Sequence, residues 1–293
     1  MSIGAYVLLA DPAFLASSLR SYYDMVDTIA VVYDESALSW TGKPLPLDDL
    51  LATVKEVDSA SKCTYLPGNF HDPAMAPLDA DTAQRRAGIA ALNSSVDWIL
   101  QIDTDEVLGS AARLEQAIRS AEQAGRAAVE FPARWIYAHV RDHLYLERCT
   151  RLWGICAGFP GPIAVRRGTE LTLARQCDQP LWRVDFRRRN TDPAHPRDAR
   201  VDGTVGPQDG IWHFSWVRSE REMRLKATTS GHVGDFDWSP EIDRWKRRQD
   251  HPWVTTLLTP LRSHPPVVGG PTWLRTVIVP DRLVTASDDP TGL

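Results

Sequence analysis

Apolar runs of strand length alternate with segments of helical period through the first half of the chain. The run "AYVLLA" (5–10) ends at Asp11-Pro12, an N-cap acid followed by a proline suited to a first helical turn. Phe14, Leu15, Leu19, Tyr22 and Tyr23 then recur at helical spacing, so a helix opening at Asp11 is expected. "TIAVVY" (28–33) predicts a second buried strand, stopped by Asp34. A helix follows near 46–58, with Leu47, Leu50, Leu51 and Val54 on one face, then a weaker strand at "KCTYLP" (62–67). "DADTAQRRAGIAALNSS" (79–95) reads as a helix with acids at its start, where the helix dipole favours them. The strand "WILQI" (98–102), a helix from Ser110 to Gly125 and the strand "AAVEFP" (127–132) complete this half.

Strands separated by helices of this length imply βαβ units, hence an α/β fold with a mostly parallel sheet flanked by helices. Beyond residue 133 the regularity fades into short aromatic, Arg-rich segments such as "RWIYAHV" and "YLERCTRLW". The polar, Pro/Gly-rich stretch 187–210 predicts a long loop, and "GIWHFSWV" (210–217) a strand. "SEREMRLKATTSGH" predicts a helix opened by Ser219 with Glu222 three residues on, a capping box. Three parts follow: an α/β half at 1–133, an irregular second half of the same domain at 134–238, and a proline-rich C-terminal extension at 239–293.

Composition narrows the class only a little. A length of 293 residues suits one large domain or two small ones, and the net charge of −5 gives no general attraction to nucleic acid. The basic runs at 187–190 and 244–248 read as solvated faces. Cys63, Cys149, Cys156 and Cys177 form no CxxC and no metal-ligand spacing, which fits a reduced, cytoplasmic protein. No apolar run approaches the length of a membrane span, and no amphipathic anchor stands out.

The candidate chemistry lies in "DWILQIDTDEVL" (97–108), where an apolar strand runs into Asp103, Asp105 and Glu106. The same two-apart spacing recurs at Asp79/Asp81 and at Asp235/Asp237, but neither pair follows an apolar strand. In parallel α/β sheets ligands bind beyond the carboxyl ends of strands, where Asp34 also falls. If the backbone there is still extended, the carboxylates of Asp103 and Asp105 share one side and can share a Mg²⁺ or Mn²⁺ ion. In "WHFSW", strand alternation puts Trp212, Phe214 and Trp216 on one face and His213 with Ser215 on the other, away from the aromatic core.

This stretch resembles the strand and DxD motif of GT-A fold (Rossmann-like) glycosyltransferases, family 2-like and family 17-like members among them. "AYVLLADPAFLASSLRSYYDMVDTIAVVYDES" is similar to the opening of that fold, "AQRRAGIAALNSSVDWILQIDTDE" to the helix and strand before the DxD, and "GIWHFSWV" to a late strand bearing a histidine ligand. The opening strand departs from family 2, with Asp11-Pro12 where Asn-Glu is usual. The resemblance implies a nucleotide-sugar donor, UDP-linked first among them, bound by the first half, and an acceptor bound by the second. Asp34 contacts the base or ribose, Arg85 or Arg86 the diphosphate, Asp105 the metal, and Asp103 the metal or the ribose. His213 is implied as a further metal ligand, with His232 a weaker candidate.

Inverting chemistry, implied by the family 2 resemblance, needs a base, with Glu106, Asp178, Asp185 and Asp209 as candidates. The turn "GFPGP" with Trp153 and Phe159 is a candidate acceptor wall. The acceptor itself is open: a glycan, a small molecule or a modified nucleic acid. Two rivals stand beside this reading: a metal-dependent nucleotidyltransferase, for which no Gly-rich phosphate loop is found, and a non-catalytic carbohydrate-binding protein on a transferase-like fold.

Overall fold

The computed structural model describes residues 1–234, 237–258 and 273–284. The apolar runs of the first half become β1 (Ile3–Leu8), β2 (Thr28–Asp34), β3 (Cys63–Gly68) and β4 (Trp98–Leu100). Between them lie α1 (Leu15–Tyr22), α2 (Leu47–Val57) and α3 (Pro77–Leu92). Then come β5 (Glu106–Leu108), α4 (Ala111–Gln123) and β6 (Ala128–Glu130). The second half supplies β7 (Ala133–Arg141), β8 (Leu144–Arg148), β9 (Ala164–Arg166), β10 (Leu181–Asp185), β11 (Gly203–Thr204) and β12 (Ile211–His213). It closes with α5 (Glu220–Thr229), α6 (Trp238–Asp250), α7 (Pro252–Leu258) and β13 (Leu274–Ile278).

The large sheet has the order β11-β10-β6-β9-β4-β1-β2-β3 and is parallel except at β9, which runs antiparallel between β4 and β6. Helices cover both faces, which is why β1 is buried at every position and reads as a continuous apolar run. Ala5 and Val7 face α1, α2 and α4 through Leu15, Leu19, Leu50, Val54 and Ile118. Tyr6 and Leu8 face α3 through Ile89 and Leu92. At Gly88 of α3 a β-carbon would lie 2.8 Å from the Tyr6 side chain, so glycine permits this close helix–sheet approach. Because β9, β10 and β11 complete the sheet begun in the first half, residue 133 divides one sheet and not two folding units.

The second sheet has the order β13-β8-β7-β12-β5. Here the sequence expectation needs correction, since 133–148 is a paired antiparallel hairpin, not irregular chain. β7 is buried on both faces over most of its length, so it shows no polar–apolar alternation, and its register to β8 shifts twice. The helix expected from Asp11 begins only at Leu15, after Phe14 in the left-handed region (φ 62°). That backbone stacks Phe14 on Phe214, ring centroids 4.5 Å apart, and ties the two sheets together. The capping box at Ser219 and Glu222 is present at α5. The described part of the C-terminal extension joins the small sheet through β13, while 259–272, 285–293 and Asp235 lie outside the described residues. Among the described residues no helix is long and apolar enough to cross a membrane.

Candidate functional site

Chain order places a crevice at the carboxyl end of the large sheet. From β1 the chain moves outward to β2 and β3, then returns through α3 to set β4 on the other side of β1. The loops after β1 and β4 therefore diverge, the topological switch point at which open α/β sheets bind ligands. A cavity of about 440 Å³ lies there. Ala10 and Asp11 enter it from the end of β1, Asp103, Thr104 and Asp105 from the end of β4, and Asp81 with Arg85 from α3. The second half closes it with Arg175, His213, Ser215, Lys226 and His232.

The acidic stretch is a tight turn, not extended chain. The Glu106 amide donates to the Asp103 carbonyl at 3.0 Å, and the chain passes through this turn from the large sheet into β5 of the small one. Asp103 and Asp105 consequently face different partners. Asp103 pairs with Arg85 at 2.9 Å through Oδ1 and with Arg175 at 3.8 Å through Oδ2. Asp105 Oδ2 accepts from Lys226 Nζ at 2.6 Å and from Arg218 Nη2 at 3.1 Å, while Oδ1 faces His213 Nε2 at 3.4 Å. Asp11 sits behind this pair, 2.5 Å from Arg218.

Burial opposes the charge on Asp105, but Lys226, His213 and Arg218 outweigh it and hold the carboxyl well below the usual carboxylate range. Burial likewise opposes the charge on Asp103, and Arg85 with Arg175 overcomes it, so its pKa is also lowered. His213 is pushed down by burial and up by its bond to Asp105; the second effect prevails and its pKa is raised. Burial pushes Asp81 up despite its contact with Arg85.

Of the residues singled out in the sequence, Arg85, Asp103, Asp105, His213 and His232 line the cavity. His213 projects into the cavity, away from the buried Trp212 and Phe214, as alternation predicted, but the strand expected over 210–217 ends at His213: Ser215 and Trp216 lie in a turn, from which Ser215 also lines the cavity and Trp216 packs in a separate apolar cluster. The others fall elsewhere. Asp34 accepts four backbone N–H groups, from Ser36, Leu38, Phe70 and His71, which occupies the acceptor sites a ribose would need. Arg86 lies on another face of α3, bonded to the Leu171 carbonyl at 2.6 Å. Glu106 is fully buried and clasped by both Nη atoms of Arg175, at 2.5 and 2.7 Å, so it braces the turn and is not free to act as a base. Asp185 is also fully buried and fastens the following loop through the Phe186 and Thr191 amides. Asp178 is exposed and Asp209 sits in the turn from Gly206; neither lines the cavity. Trp153 lies on the α7 side, bonded to the Thr256 carbonyl, and Phe159 lies beneath the Arg183 guanidinium, while Pro160 of the GFPGP turn does line the cavity.

Four charged residues that matter were not singled out as ligand-binding groups. Asp11 obeys the same end-of-strand rule applied to Asp103, but its proline drew it into a helix-cap reading. Asp81 is legible as the i,i+4 partner of Arg85, which the sequence had already offered. Lys226 and Arg175 carry no local signal, because a capping-box helix and an irregular loop bring them in only through tertiary packing. Trp40, with its indole N–H bonded to Gln84, adds an aromatic wall.

The metal ion implied by the resemblance can be tested against this donor set. A hard divalent cation takes about six or more oxygen ligands, and an imidazole ligand must be neutral. Here each of the four carboxylate oxygens of Asp103 and Asp105 already faces a cationic or ionisable side chain of the protein, and His213 is biased toward its charged form. Among the described residues no group of three or more His, Cys, Asp or Glu side chains is arranged to hold a metal. The residues as arranged do not fit one.

Compared with known proteins, the chain matches no family model and no curated protein sequence. Solved structures show partial likeness, and two of them illustrate its extent. One is 4-diphosphocytidyl-2C-methyl-D-erythritol synthase from Anaerococcus prevotii, at 14% identity and TM-score 0.35, covering 57% of this chain and 71% of that one. The other is mannose-6-phosphate isomerase from Helicobacter pylori, at 14% identity and TM-score 0.29, covering 49% of this chain and 53% of that one. The fold assignment rests on the strand order itself.

Proposed function

We propose that this chain is a glycosyltransferase of the GT-A type. In this reading a nucleoside diphosphate sugar, UDP-linked first among the candidates, binds in the switch-point cavity and loses its sugar to an acceptor hydroxyl with inversion. The observation that carries the reading is the convergence of Arg85, Arg175 and Lys226 on one cavity at the ends of β1 and β4, each held in place by an acid of the turn or of α3. Arg85 and Lys226 fixed in this way are suited to a diphosphate, whose oxygens take their remaining N–H donors, while Arg175, its Nη donors directed to Glu106, Asp103 and the Gln101 carbonyl, adds positive charge. Trp40 offers a ring for the base or sugar to lie against.

The reaction breaks the bond between the anomeric carbon and the diphosphate oxygen, and the electron pair stays on the diphosphate beside Arg85 and Lys226. The acceptor oxygen forms the new bond to the same carbon. Its proton passes to a cavity carboxylate with solvent access; Asp11, with its side chain 26% exposed, is favoured over Asp103, whose two oxygens face Arg85 and Arg175. No step is assigned to a metal. Slow release of UDP from a panel of UDP-sugars tests the reading: wild-type protein should liberate UDP from one donor and Arg85→Ala should not. Equal release by both, or by neither with every donor, would refute it.

A further inference from the structure

Beside Asp105 of the DxD turn, and 3.6 Å from Asp11, stands a cation of the protein itself, the Lys226 ammonium. We propose that the Lys226 ammonium, steered by Asp105, takes the place of a divalent cation, and that the chain binds its diphosphate donor without metal. This rests on the donor-site reading above.

The inference comes from which atoms face which. Lys226 reaches the cavity from α5 with its side chain 17% exposed, and places Nζ 2.6 Å from Asp105 Oδ2. Arg218, only 1% exposed, stands behind the same oxygen and also holds Asp11. A divalent ion at Asp105 would have to displace the ammonium and then sit beside a fixed guanidinium, with no carboxylate oxygen left unshared. Arg85 and Arg175 repeat the arrangement at Asp103. An ammonium carries three N–H donors, and Asp105 takes one. Asp11 Oδ2 lies 3.6 Å from the same Nζ, beyond hydrogen-bond reach, so the other donors can turn to phosphate oxygens, and Lys226 supplies both the charge and the directed contacts for which a DxD metal is used. Lysine suits this task because it is a compact charge on a stem that can adjust to its ligand, whereas arginine imposes a planar fork.

Two measurements separate the proposal from the reading beneath it. The first uses Mn²⁺ alone, followed by the electron paramagnetic resonance signal of the free ion. Wild-type protein should leave the signal unchanged, and Lys226→Met, which uncovers Asp105, should reduce it. Stoichiometric Mn²⁺ binding by the wild type overturns the proposal whether or not a nucleotide binds. The second uses UDP as the probe, with either excess EDTA or excess MnCl₂. Wild type should bind UDP equally in both. Lys226→Met should bind about 10- to 100-fold more weakly in EDTA, the loss of one charged hydrogen bond, and recover with Mn²⁺. Lys226→Arg, which keeps the charge, should stay closer to wild type in EDTA and so control for misfolding. UDP binding by the wild type only when Mn²⁺ is present overturns the proposal. Absence of UDP binding in both buffers, with Mn²⁺ ignored by the wild type, overturns the donor reading instead.

Discussion

Glu147 and Asp105 each gather several cationic groups around one carboxylate, on opposite sides of the small sheet's function. Glu147 on β8 receives both arms of Arg134, at 2.7 and 2.8 Å, and Arg275 at 3.2 Å, with the Arg134 guanidinium 3.8 Å from the centre of the Trp212 ring. Every group there is planar, forked and fixed on a strand, and Glu147 is completely buried. Asp105 instead receives single contacts from a lysine, a histidine and one arginine, and two of those three line a cavity. No member of the first cluster lines the cavity, and its one partly exposed group, Arg275, is also bonded to the Trp153 carbonyl. The second can exchange one partner for another. A buried carboxylate with many partners is therefore structural or functional according to what else its partners can reach.

The sharpest way to break this comparison is to remove each acid in turn. Glu147→Ala leaves Arg134 buried and unpaired, and should cost about 3–5 kcal/mol in urea unfolding. A loss under about 1 kcal/mol would mean the Glu147 cluster is relaxed and the contrast with Asp105 has no basis. Asp105→Asn keeps the side-chain volume and frees Lys226 to turn toward water, so its cost should be smaller, about 1–3 kcal/mol. It should also reduce nucleotide-induced stabilisation, which Glu147 substitutions that still fold should retain in full. Arg85→Lys loses the fork that joins Asp81 to Asp103, and UDP affinity measured by calorimetry should fall about tenfold.

The smallest effect concerns pH. The folded-state pKa of His213 is raised by Asp105, so the stability it contributes is full below about 6.5, the ordinary histidine value, and is lost as pH rises through the raised folded value. Its NMR titration midpoint should lie above the ordinary value and fall in Asp105→Asn. A midpoint that the substitution leaves unmoved would show that the two side chains are uncoupled.

Much of the large sheet was legible because its strands are short apolar runs bounded by Asp, Pro and helix signals, as at 28–34 and 98–100. The hairpin at 133–148 was not, because burial on both faces and two register shifts erase the period of two. In the site, His213 was readable from alternation within five residues, and Asp103 and Asp105 from their place after β4. Asp34 obeyed the same rule and proved to be a backbone clamp, since a carboxylate after a strand is as well suited to four amide groups as to a ligand. Lys226, Arg175 and Arg218 were hidden because 69 or more residues of chain separate each of them from the acid of the DxD turn that it bonds, and only tertiary packing brings them together.

Calorimetric titration of UDP into wild-type protein and into Arg85→Ala, both in EDTA, tests the central claim most directly. The account predicts saturable binding at one site in the wild type and its loss in the variant, with the unfolding curve of the variant showing that it remains folded. Equal binding by the two proteins, or none by the wild type, would contradict the assignment of the cavity at the ends of β1 and β4 as the donor site.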